Sequence, residues 1–568
     1  MHEEIPDYAM MPATAPEEQA NPVKLIPAGD EIINRRLRLS ESKRTALPQM
    51  SVEEDLLVPD VRPDLEKILS IDAVPEISSW DTYGASGGAN IIRISGNLDV
   101  STLYVASGKS DGLVAISSRI PFRYETEVTE HPAKSAEIMA DVKTVTSRVI
   151  NERKIRVSAA VQFKVLDYGD KEIELLEGVK DDSLLLRKEK IKFTDMAFRK
   201  SDGTEISEKI VVRDNLPEPA TILKHSVNAV ENHRQISKGK IIIEGSLYYS
   251  ILYVPVSEEE NPSTIPTFCR GKTDFTQFFR LPDLSAGEIT GLVVNYNITS
   301  SDIRIRDGRH ENTAGNDSTG DDSVDTDGKK YFQLDSTVDT TINVYREIER
   351  ELVTDMYHRT RNLDFSTSPH KISRLRGTGA ADISVRETIT APEEIAMAEG
   401  IPYVAVKIGQ IKAKPESDRC QIEGQLEMDV IFADEGTGAV NCRKETAQFK
   451  SSIDIPGVNA DVTPECTAGL RDVWFDRLNS RQIDFSCSIA VRVNTWDITS
   501  HEFIDRVCYI EDENDRSRRA SMVVYVTMPD DTQWSIAKKF RTDMETIQSV
   551  NGMEEDQELQ PGSRLLIV

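Results

Sequence analysis

Residues 421–432 read Gln-Ile-Glu-Gly-Gln-Leu-Glu-Met-Asp-Val-Ile-Phe. Between Ile422 and Val430, apolar side chains and Gly424 occupy every second position, and polar or charged residues fill the positions between them. An alternation with period two is typical of a β-strand that buries one face. A glycine inside such a strand indicates a bulge or the close approach of another part of the chain. The stretch therefore predicts a long, half-buried strand.

The same pattern occurs twice earlier in the chain, around Gly96 and Gly245. Each copy reads Ile-x-Gly-x-Leu, and an apolar–aromatic pair follows seven and eight residues after the glycine. A second alternating strand begins at Ile155 and again at Ile483, in both cases 59 residues after the glycine of its own copy. A period this long predicts tandem domains rather than a solenoid of short units. We therefore expect a mainly β protein with three tandem β-rich repeats.

The chain divides into six predicted regions. These are a disordered tail rich in Pro, Ala and Glu (1–29), three repeats (30–182, 183–366 and 367–510), a charged linker (511–521) and a distinct C-terminal module (522–568). Near the start of the first repeat, Pro63 is expected to open a short helical turn, because proline is tolerated at the first helical position.

An acidic insertion lengthens the second repeat. Residues 307–328 contain seven acidic residues and almost no aliphatic ones, so they cannot bury apolar surface and should form a disordered loop between two strands. The segment has some likeness to a calcium loop. However, an EF-hand register that starts at Ser323 would need glutamate where Leu334 stands. A solvated acidic loop is therefore favoured over a calcium site.

Composition limits the classes of partner and the compartment. The formal net charge of −28 argues against nucleic acid and anionic lipid, because both attract Lys and Arg. No apolar run approaches the length of a membrane span, and the opening Met-His-Glu-Glu lacks the features of a secretory signal, so we expect a cytoplasmic protein without membrane insertion. The six cysteines include no C-x-x-C pair and are expected to be buried free thiols.

Catalytic motifs are absent from the sequence. The eight histidines form no H-x-x-x-H pattern, and there is no G-x-S-x-G or phosphate-binding glycine loop. A pair of carboxylates that converges only in the fold stays open at this point. The expectation is a protein that is not an enzyme and has no cofactor or metal.

Residues 522–568 predict a strand, two helices and a closing strand. Either Asp531 or Thr532 can accept a backbone N–H at the start of the first helix. Asp543 is expected to cap the second helix, which ends at Asn551-Gly552 because these residues tolerate the left-handed conformation.

This module resembles a LysM domain, whose pattern is Tyr-x-Val-x-x-Gly-Asp-Thr-x-x-x-Ile-Ala, then Asn, then Pro-Gly-x-x-Leu-x-Ile. LysM domains generally bind N-acetylglucosamine polymers between two loops. The resemblance places those loops at Asp530, Asp531, Thr532, Gln533, Asn551, Gly552, Met553 and Glu554. The loop glycine of the family is Asp530 here, which alters the shape and charge of the groove. Trp534 is either a core residue or a sugar-stacking residue.

The resemblance extends from the C-terminal module to the order of domains along the whole chain. A Val-Pro-Asp-Val-Arg-Pro-Asp motif at residues 58–64, the three glycine strands and one C-terminal LysM-like module resemble the SipL-like family of SPOCS-repeat coat proteins from spore-forming Clostridia. The resemblance implies a structural adaptor in the mother-cell cytoplasm, located at the forespore surface and in the spore coat. It also implies a SpoIVA-like coat ATPase and other coat proteins as partners, with the LysM taking part in the protein contact.

Three hypotheses follow for function. In the first, the module binds protein through an acidic rim of Asp530 and Asp531, with Met553 as an apolar anchor if it is exposed. In the second, the module binds peptidoglycan or another N-acetylglucosamine polymer while the repeats act as spacers. In the third, the chain is an enzyme with a LysM anchor, which the missing catalytic motifs argue against.

Overall fold

The computed structural model describes most of the chain. The described residues are 25–27, 32–84, 90–107, 112–128, 136–213, 215–256, 266–281, 284, 286–308, 329–393, 396–398, 402–437, 439–510, 522–554 and 557–568. Almost all regular structure in them is antiparallel β-sheet, and the two α-helices lie in the C-terminal module. The predicted mainly β class is confirmed.

Many strands that are consecutive in the sequence pair as antiparallel hairpins, and the others pair with more distant strands. The first strand among the described residues is β1 (Leu25–Pro27). The first repeat contains β2 (Ile32–Ala46), β3 (Met50–Leu57), β4 (Leu65–Gly84), β5 (Asn90–Ala106), β6 (Leu113–Val128), β7 (Glu137–Asn151) and β8 (Lys154–Val179). The second contains β9 (Leu184–Ile210), β10 (Pro219–Ser237), β11 (Lys240–Pro255), β12 (Thr267–Arg280), a 3-10 turn (Ala286–Glu288), β13 (Gly291–Asp307) and β14 (Lys330–His358). The third contains β15 (Asn362–Thr390), β16 (Tyr403–Glu416), β17 (Arg419–Ala433), β18 (Val440–Asp454), β19 (Thr463–Asn479) and β20 (Gln482–Ile510).

One strand order recurs in all three repeats. The glycine strand is the centre of a three-stranded sheet in each case, in the orders β4-β5-β6, β10-β11-β12 and β16-β17-β18. The last long strand is the centre of a second sheet, with β14 lying between β13 and β9, and β20 between β19 and β15. In the first repeat, β8 pairs with β7 on one edge and with β2 and β3 in succession on the other.

Two predicted boundaries differ from the structure. The predicted end of the second repeat at residue 366 falls inside β15, which starts only a short turn after β14 and pairs with β20 along its whole length. In addition, Leu25–Pro27 belong to the segment predicted to be a disordered tail, yet they pair with residues 508–510 of β20. Because β19 pairs with β20 only as far as Trp496, the second edge of β20 offers backbone groups that this short segment satisfies.

The predicted acidic loop lies almost entirely outside the described residues, which resume at Lys329. Its first residue, Asp307, ends β13 and is paired with Lys330 at the start of β14. The insertion therefore connects two neighbouring antiparallel strands.

An aromatic ring lies against the strand glycine of each repeat, and at Gly96 the Glu76 carbonyl oxygen is closer still. Gly96, Gly245 and Gly424 lie opposite a phenylalanine on the adjacent strand. A Cβ atom built on Gly245 would come within 2.4 Å of the Phe275 ring, and one on Gly424 within 2.5 Å of the Phe449 ring. The strand glycine therefore makes room for a ring that lies across the sheet, which is the close approach expected from the sequence.

The aromatic half of the apolar–aromatic pair faces the core of its own repeat. Tyr104 and Tyr253 are fully buried, and their hydroxyls donate to the carbonyls of Pro63 at 2.8 Å and of Pro217 at 2.9 Å. These bonds fix the loop that leads into the first strand of the glycine sheet.

The helical turn expected at Pro63 does not form, because the chain enters β4 two residues later. Arg153 organises this loop instead. Its guanidinium donates to the carbonyls of Arg62 at 3.0 Å and Pro59 at 3.0 Å, and to the Asp64 carboxylate at 2.7 Å. With these contacts made, the loop reaches the strand without a helix.

The far ends of β8, β14 and β20 meet, together with the strands paired to them. Buried side chains from all three repeats form one cluster there, including Leu175, Phe193, Leu352, Ile372 and Phe503. The neighbouring cluster around Leu176, Met356 and Val507 is built in the same way. The three repeats therefore share a core at this end.

The C-terminal module contains β21 (Val523–Val526), α1 (Gln533–Phe540), α2 (Met544–Asn551) and β22 (Arg564–Ile567). The two strands pair with each other, and α1 and α2 cover one side of them. The predicted strand–helix–helix–strand order is confirmed.

Candidate binding site

The first loop of the module is held by its own hydrogen bonds. Thr532, rather than Asp531, is the N-cap of α1, and its hydroxyl accepts from the backbone N–H of Ser535 at 3.0 Å. The Asp531 carboxylate accepts from the Tyr525 hydroxyl at 2.9 Å and from the Met528 backbone N–H at 2.7 Å. These two predicted site residues therefore shape the loop.

Asp530 is exposed and adopts the left-handed conformation, with φ of 71°. Glycine adopts this conformation without steric cost, and aspartate tolerates it better than most residues. The backbone geometry therefore accounts for the glycine at this position in the LysM pattern. The carboxylate of Asp530 points a negative charge to solvent beside the start of α1.

Gln533 connects the two loops. It is buried, and its side-chain amide donates to the carbonyls of Glu554 at 3.3 Å and Gln557 at 2.9 Å. Its carbonyl oxygen accepts from the Gln548 side chain at 2.6 Å. The sequence predicted that Gln533 lines the binding groove. In the structure, its side-chain amide makes hydrogen bonds that connect the two loops.

The second loop is also tied to the body of the module. The Asn551 side chain donates to the Leu566 carbonyl at 2.8 Å and accepts from the Leu566 N–H at 2.7 Å, which joins α2 to β22. Gly552 ends α2 in the left-handed conformation. Met553 is half-buried against the core of the module, so the exposure on which its candidacy as an anchor depended is only partial. Glu554 is exposed.

Trp534 joins the module to the second repeat. The side chain is 9% exposed, its ring lies edge-on to that of Tyr357 at 5.0 Å between centroids, and its indole N–H donates to Asp355 at 2.7 Å. Both partners lie near the end of β14. Trp534 is therefore buried between domains, and its ring is not available to stack on a sugar.

Polar contacts surround this aromatic pair. The Lys538 ammonium is 2.5 Å from the Asp355 carboxylate, and the Tyr357 hydroxyl donates to the Thr542 carbonyl at 2.6 Å. Arg359 forms an ion pair with Asp543 at 2.5 Å. Asp543 occupies the N-cap position of α2 as predicted, but its carboxylate makes no capping hydrogen bond, since it is turned toward Arg359. The module thus contacts the repeats through α1 and the start of α2.

A second meeting point of the three repeats was not visible in the sequence. Leu103, Leu252 and Ile431, the first members of the three apolar–aromatic pairs, belong to one buried cluster that spans all three repeats. Each of the three residues pairs with a residue of the preceding strand in its own sheet. The partners of Leu103, Leu252 and Ile431 are Ser70, Lys224 and Tyr403, respectively. Equivalent positions of the three repeats therefore contribute to one buried cluster.

A charged group is buried at this junction. Lys224 lies 2.6 Å from Asp72 and 2.9 Å from the Ser70 hydroxyl, which in turn donates to Asp429 at 2.8 Å. Lys407 forms a further ion pair with Asp72. Burial disfavours the Asp72 carboxylate, but the two lysines outweigh it and lower the pKa of Asp72 to about 2. The pKa of Lys224 is raised, because attraction to the carboxylates outweighs the effect of burial.

Ion pairs also join the repeats elsewhere. Arg199 of the second repeat lies 2.5 Å from Glu137 of the first, and Arg492 of the third lies 2.9 Å from Glu231 of the second. Together with the pair between Lys407 and Asp72, each repeat is linked to both others.

Possible metal ligands and cysteine thiols are the groups of interest for metal binding and covalent chemistry. No group of three or more His, Cys, Asp and Glu residues that could hold a metal occurs within the described parts of the chain. All six cysteines are free thiols. Burial raises the pKa of Cys269, Cys442 and Cys466 to about 11, which disfavours the reactive thiolate. Of the helices that the structure describes, none has the length and apolarity needed to cross a membrane.

Comparison with protein families identifies the two kinds of domain. The model described as "SipL, SPOCS domain" matches residues 219–306 and 399–477, which begin at the first strand of the glycine sheet in the second repeat and just before it in the third. The model described as "LysM domain" matches residues 525–568. Comparison with curated proteins gave no match, and comparison with solved structures gave none either.

Both matched families are non-catalytic binding domains, and neither is an enzyme family. The SPOCS matches relate the chain to sporulation and the spore coat. The two SPOCS matches and the LysM match confirm the resemblance of the chain to SipL-like proteins.

Proposed function

We propose that the protein is a non-enzymatic structural adaptor in spore-coat assembly. It resides in the mother-cell cytoplasm and tethers a basal-layer coat protein to the forespore surface through protein contacts of its LysM and SPOCS domains. A SpoIVA-like coat ATPase is the proposed partner, together with other coat proteins.

The docking of the LysM domain onto the second repeat is the observation that supports this proposal most. The ring of Trp534 packs against Tyr357 and donates a hydrogen bond to Asp355. The side chains of Gln533 and Asn551 already make hydrogen bonds within the module. A sugar site needs polar groups and an aromatic ring that are free to meet the ligand. The residues that remain exposed in the two loops include Asp530 and Glu554, whose negative charges suit a basic protein surface.

The SPOCS repeats suit the role of a rigid base. Their shared cores and the ion pairs between all three repeats restrict relative movement of the domains. A LysM domain held on this base presents its exposed side in a fixed direction. Pre-organisation of this kind lowers the entropic cost of binding.

Localisation in sporulating cells tests the proposal. A fluorescent fusion of the full chain should form a ring around the forespore, and the ring should be lost when the coat ATPase gene is deleted. A fusion of residues 1–510, which lacks the LysM domain, should remain diffuse. A diffuse signal from the full chain, or a ring that does not need the LysM domain, would contradict the proposal.

Binding of N-acetylglucosamine polymers is the alternative, and the LysM family match favours it. Calorimetry of the full chain against chitin oligomers and muropeptides distinguishes the two functions. We expect no binding at millimolar ligand. Micromolar affinity for either sugar would support the alternative instead.

A further inference from the structure

His358 is buried at the end of β14, immediately before the turn that leads to β15. Its side chain is 2% exposed. The backbone N–H groups of Thr360 and Arg361 lie 3.0 and 3.1 Å from Nδ1, and Nε2 lies 3.1 Å from the Asp181 carboxylate. Because two N–H donors point at Nδ1, that nitrogen is an unprotonated acceptor, and the ring proton is on Nε2, which donates to Asp181. The structure therefore requires a neutral imidazole at this position.

A second proton on this ring conflicts with the turn. The proton would be added to Nδ1, where it would face the two backbone N–H groups, and both would lose their acceptor. The Thr360 hydroxyl lies 3.3 Å from Nδ1 and can accept the new proton, but it does not replace the acceptor that the two N–H groups lose. A backbone donor left without a partner away from water costs about as much free energy as a lost hydrogen bond. The closed turn therefore disfavours the protonated ring.

The charged and titratable groups around the ring come from three segments of the chain. Asp181 lies in the turn before β9, and its pKa is lowered by the backbone N–H of Ser183 and by the hydrogen bond from the ring, so it stays ionised in mild acid. Arg361, from the turn after β14, lies 3.6 Å from Asp181. Its guanidinium also lies 4.3 Å over the ring of Tyr509 on β20, which meets the His358 ring edge-on at 5.7 Å. Asp181 already has one cationic partner, so a protonated ring would have to share its charge.

The residues on either side of His358 hold the LysM domain. Tyr357 and His358 are successive residues of β14 and point to opposite sides, so the histidine faces the repeats while the tyrosine ring packs against Trp534. On the other side, Arg359 forms its ion pair with Asp543. The backbone of Arg359 belongs to the same turn, since its N–H donates to the carbonyl of residue 183 at 3.0 Å. A turn that opens to admit a proton therefore moves the backbone that carries the docking residues.

We propose that His358 is a proton-sensitive switch for the LysM domain: uptake of a second proton by the ring opens the turn at residues 359–361 and releases the domain from the end of β14. At neutral pH the docked domain hides the Trp534 side of α1, and mild acid exposes it. The inference goes beyond the adaptor role and does not depend on the identity of the partner, because the switch lies within the chain.

The direction of the pH dependence follows from proton uptake. The docked form binds no proton at Nδ1 and the released form binds one, so docking is strongest above the ordinary titration range of histidine, about pH 6.5, and weakens as the pH falls below it. Well below that range, each pH unit raises the equilibrium constant for release about tenfold. The two ion pairs of the docking contact involve carboxylates, Asp355 and Asp543. Carboxylates ordinarily titrate near pH 4, so these pairs change little above about pH 5.5.

Solvent exchange of two indole N–H groups in the unmodified full chain, followed by NMR, tests the proposal. The Trp534 indole N–H donates to Asp355 across the docking contact, and the Trp496 indole N–H donates to Glu465 within the third repeat at 3.0 Å. Exchange reports rare opening as well as full release. After correction for the intrinsic pH dependence of exchange, the protection of Trp534 should fall about tenfold between about pH 7.5 and pH 5.5. The protection of Trp496 should stay constant. Constant protection of Trp534, or an equal fall at both indoles, would overturn the proposal.

A pair of histidine variants then assigns the proton. His358→Asn keeps a side-chain oxygen that can accept from the turn N–H groups but does not titrate in this range, so the protection of Trp534 should no longer depend on pH. His501→Asn is the matched control, because His501 is half-buried on β20 and bonds to the Thr499 hydroxyl at 2.9 Å. The control should keep the tenfold fall of the unmodified chain. A fall that persists in His358→Asn, or disappears in His501→Asn, would contradict the assignment. Melting temperatures confirm that each variant folds, and the two indoles of the unmodified chain decide the outcome if His358→Asn does not.

Discussion

The contact between repeats and the contact between the LysM domain and the repeats are built differently. Where the repeats meet, Leu103, Leu252 and Ile431 are 3%, 1% and 0% exposed, and ion pairs are buried beside them. Where the LysM domain docks, a single aromatic pair is surrounded by polar groups, and the Lys538 side chain is still 41% exposed. The first contact resembles a protein core, and the second resembles a small protein–protein interface.

This difference indicates that the contact between the repeats stabilises the fold, whereas the LysM contact only positions the LysM domain. Apolar residues from all three repeats contribute to the shared clusters, so loss of one should destabilise the repeats together. The LysM contact is local to the end of β14, so it should open without unfolding either partner. The predictions below test this distinction, from the largest expected effect to the smallest.

Leu252→Ala should lower the free energy of unfolding by about 2–5 kcal/mol, because it leaves a cavity where three repeats meet. Urea unfolding followed by circular dichroism measures the change. Leu57→Ala is the control, since Leu57 is 68% exposed, and it should cost no more than about 0.5 kcal/mol. Equal costs for the two variants would show that the junction contributes no stability.

Asp72→Asn should destabilise the chain by roughly 2 kcal/mol at neutral pH, because the pKa of Asp72 is lowered to about 2 in the folded chain. A carboxylate with a depressed folded pKa contributes stability that is present above about pH 4 and is lost as the pH falls through 2. The difference between variant and unmodified chain should therefore shrink between pH 7 and pH 3. A difference that is independent of pH would contradict the assigned role of Asp72.

Trp534→Phe keeps a ring against Tyr357 but removes the indole N–H that donates to Asp355. We expect the docking contact to weaken by about 1–2 kcal/mol, while global unfolding is unaffected. Hydrogen exchange should show faster exchange in α1 and at the end of β14, with no change in β11. Trp474→Phe, on β19 of the third repeat, is the control. Faster exchange throughout the chain would mean that docking is part of the shared core.

Asp530→Gly should change the free energy of unfolding by less than about 1 kcal/mol. Glycine relieves the left-handed conformation at this position, but it also increases the entropy of the unfolded chain, and the two effects oppose each other. Thermal unfolding measures the change. The variant should also remain unable to bind chitin oligomers. Gain of sugar binding would show that Asp530 alone blocks the groove.

Periodicity was sufficient to predict much of the fold. Alternation around Gly424 predicted which side chains of β17 face the core, and the equal spacing to Ile155 and Ile483 marked the repeats. The phenylalanines opposite the three glycines were not predicted, because the spacing of apolar residues along one strand does not determine which residues of the neighbouring strand pair with it. They lie between 25 and 30 residues further along the chain.

The sites were harder to predict than the fold. The positions of Thr532, Gln533 and Asn551 followed from the LysM pattern, but their bonds within the module depend on how the two loops meet. Met553 and Met528 are similar in sequence terms, and only the packing of the helices decides that the first is half-buried and the second exposed. The junction at Lys224 needs the relative placement of three domains, which no local pattern encodes.

The central claim is that the three repeats form one body on which the LysM domain docks. Zero-length crosslinking of the unmodified monomeric chain, read by mass spectrometry, tests it most directly. Carbodiimide joins lysines to carboxylates that are already in contact, and Lys154 with Asp55, 2.8 Å apart within the first repeat, provides the internal control. We predict additional crosslinks between Lys407 and Asp72 and between Lys538 and Asp355. Recovery of the control crosslink without either of these would contradict the account.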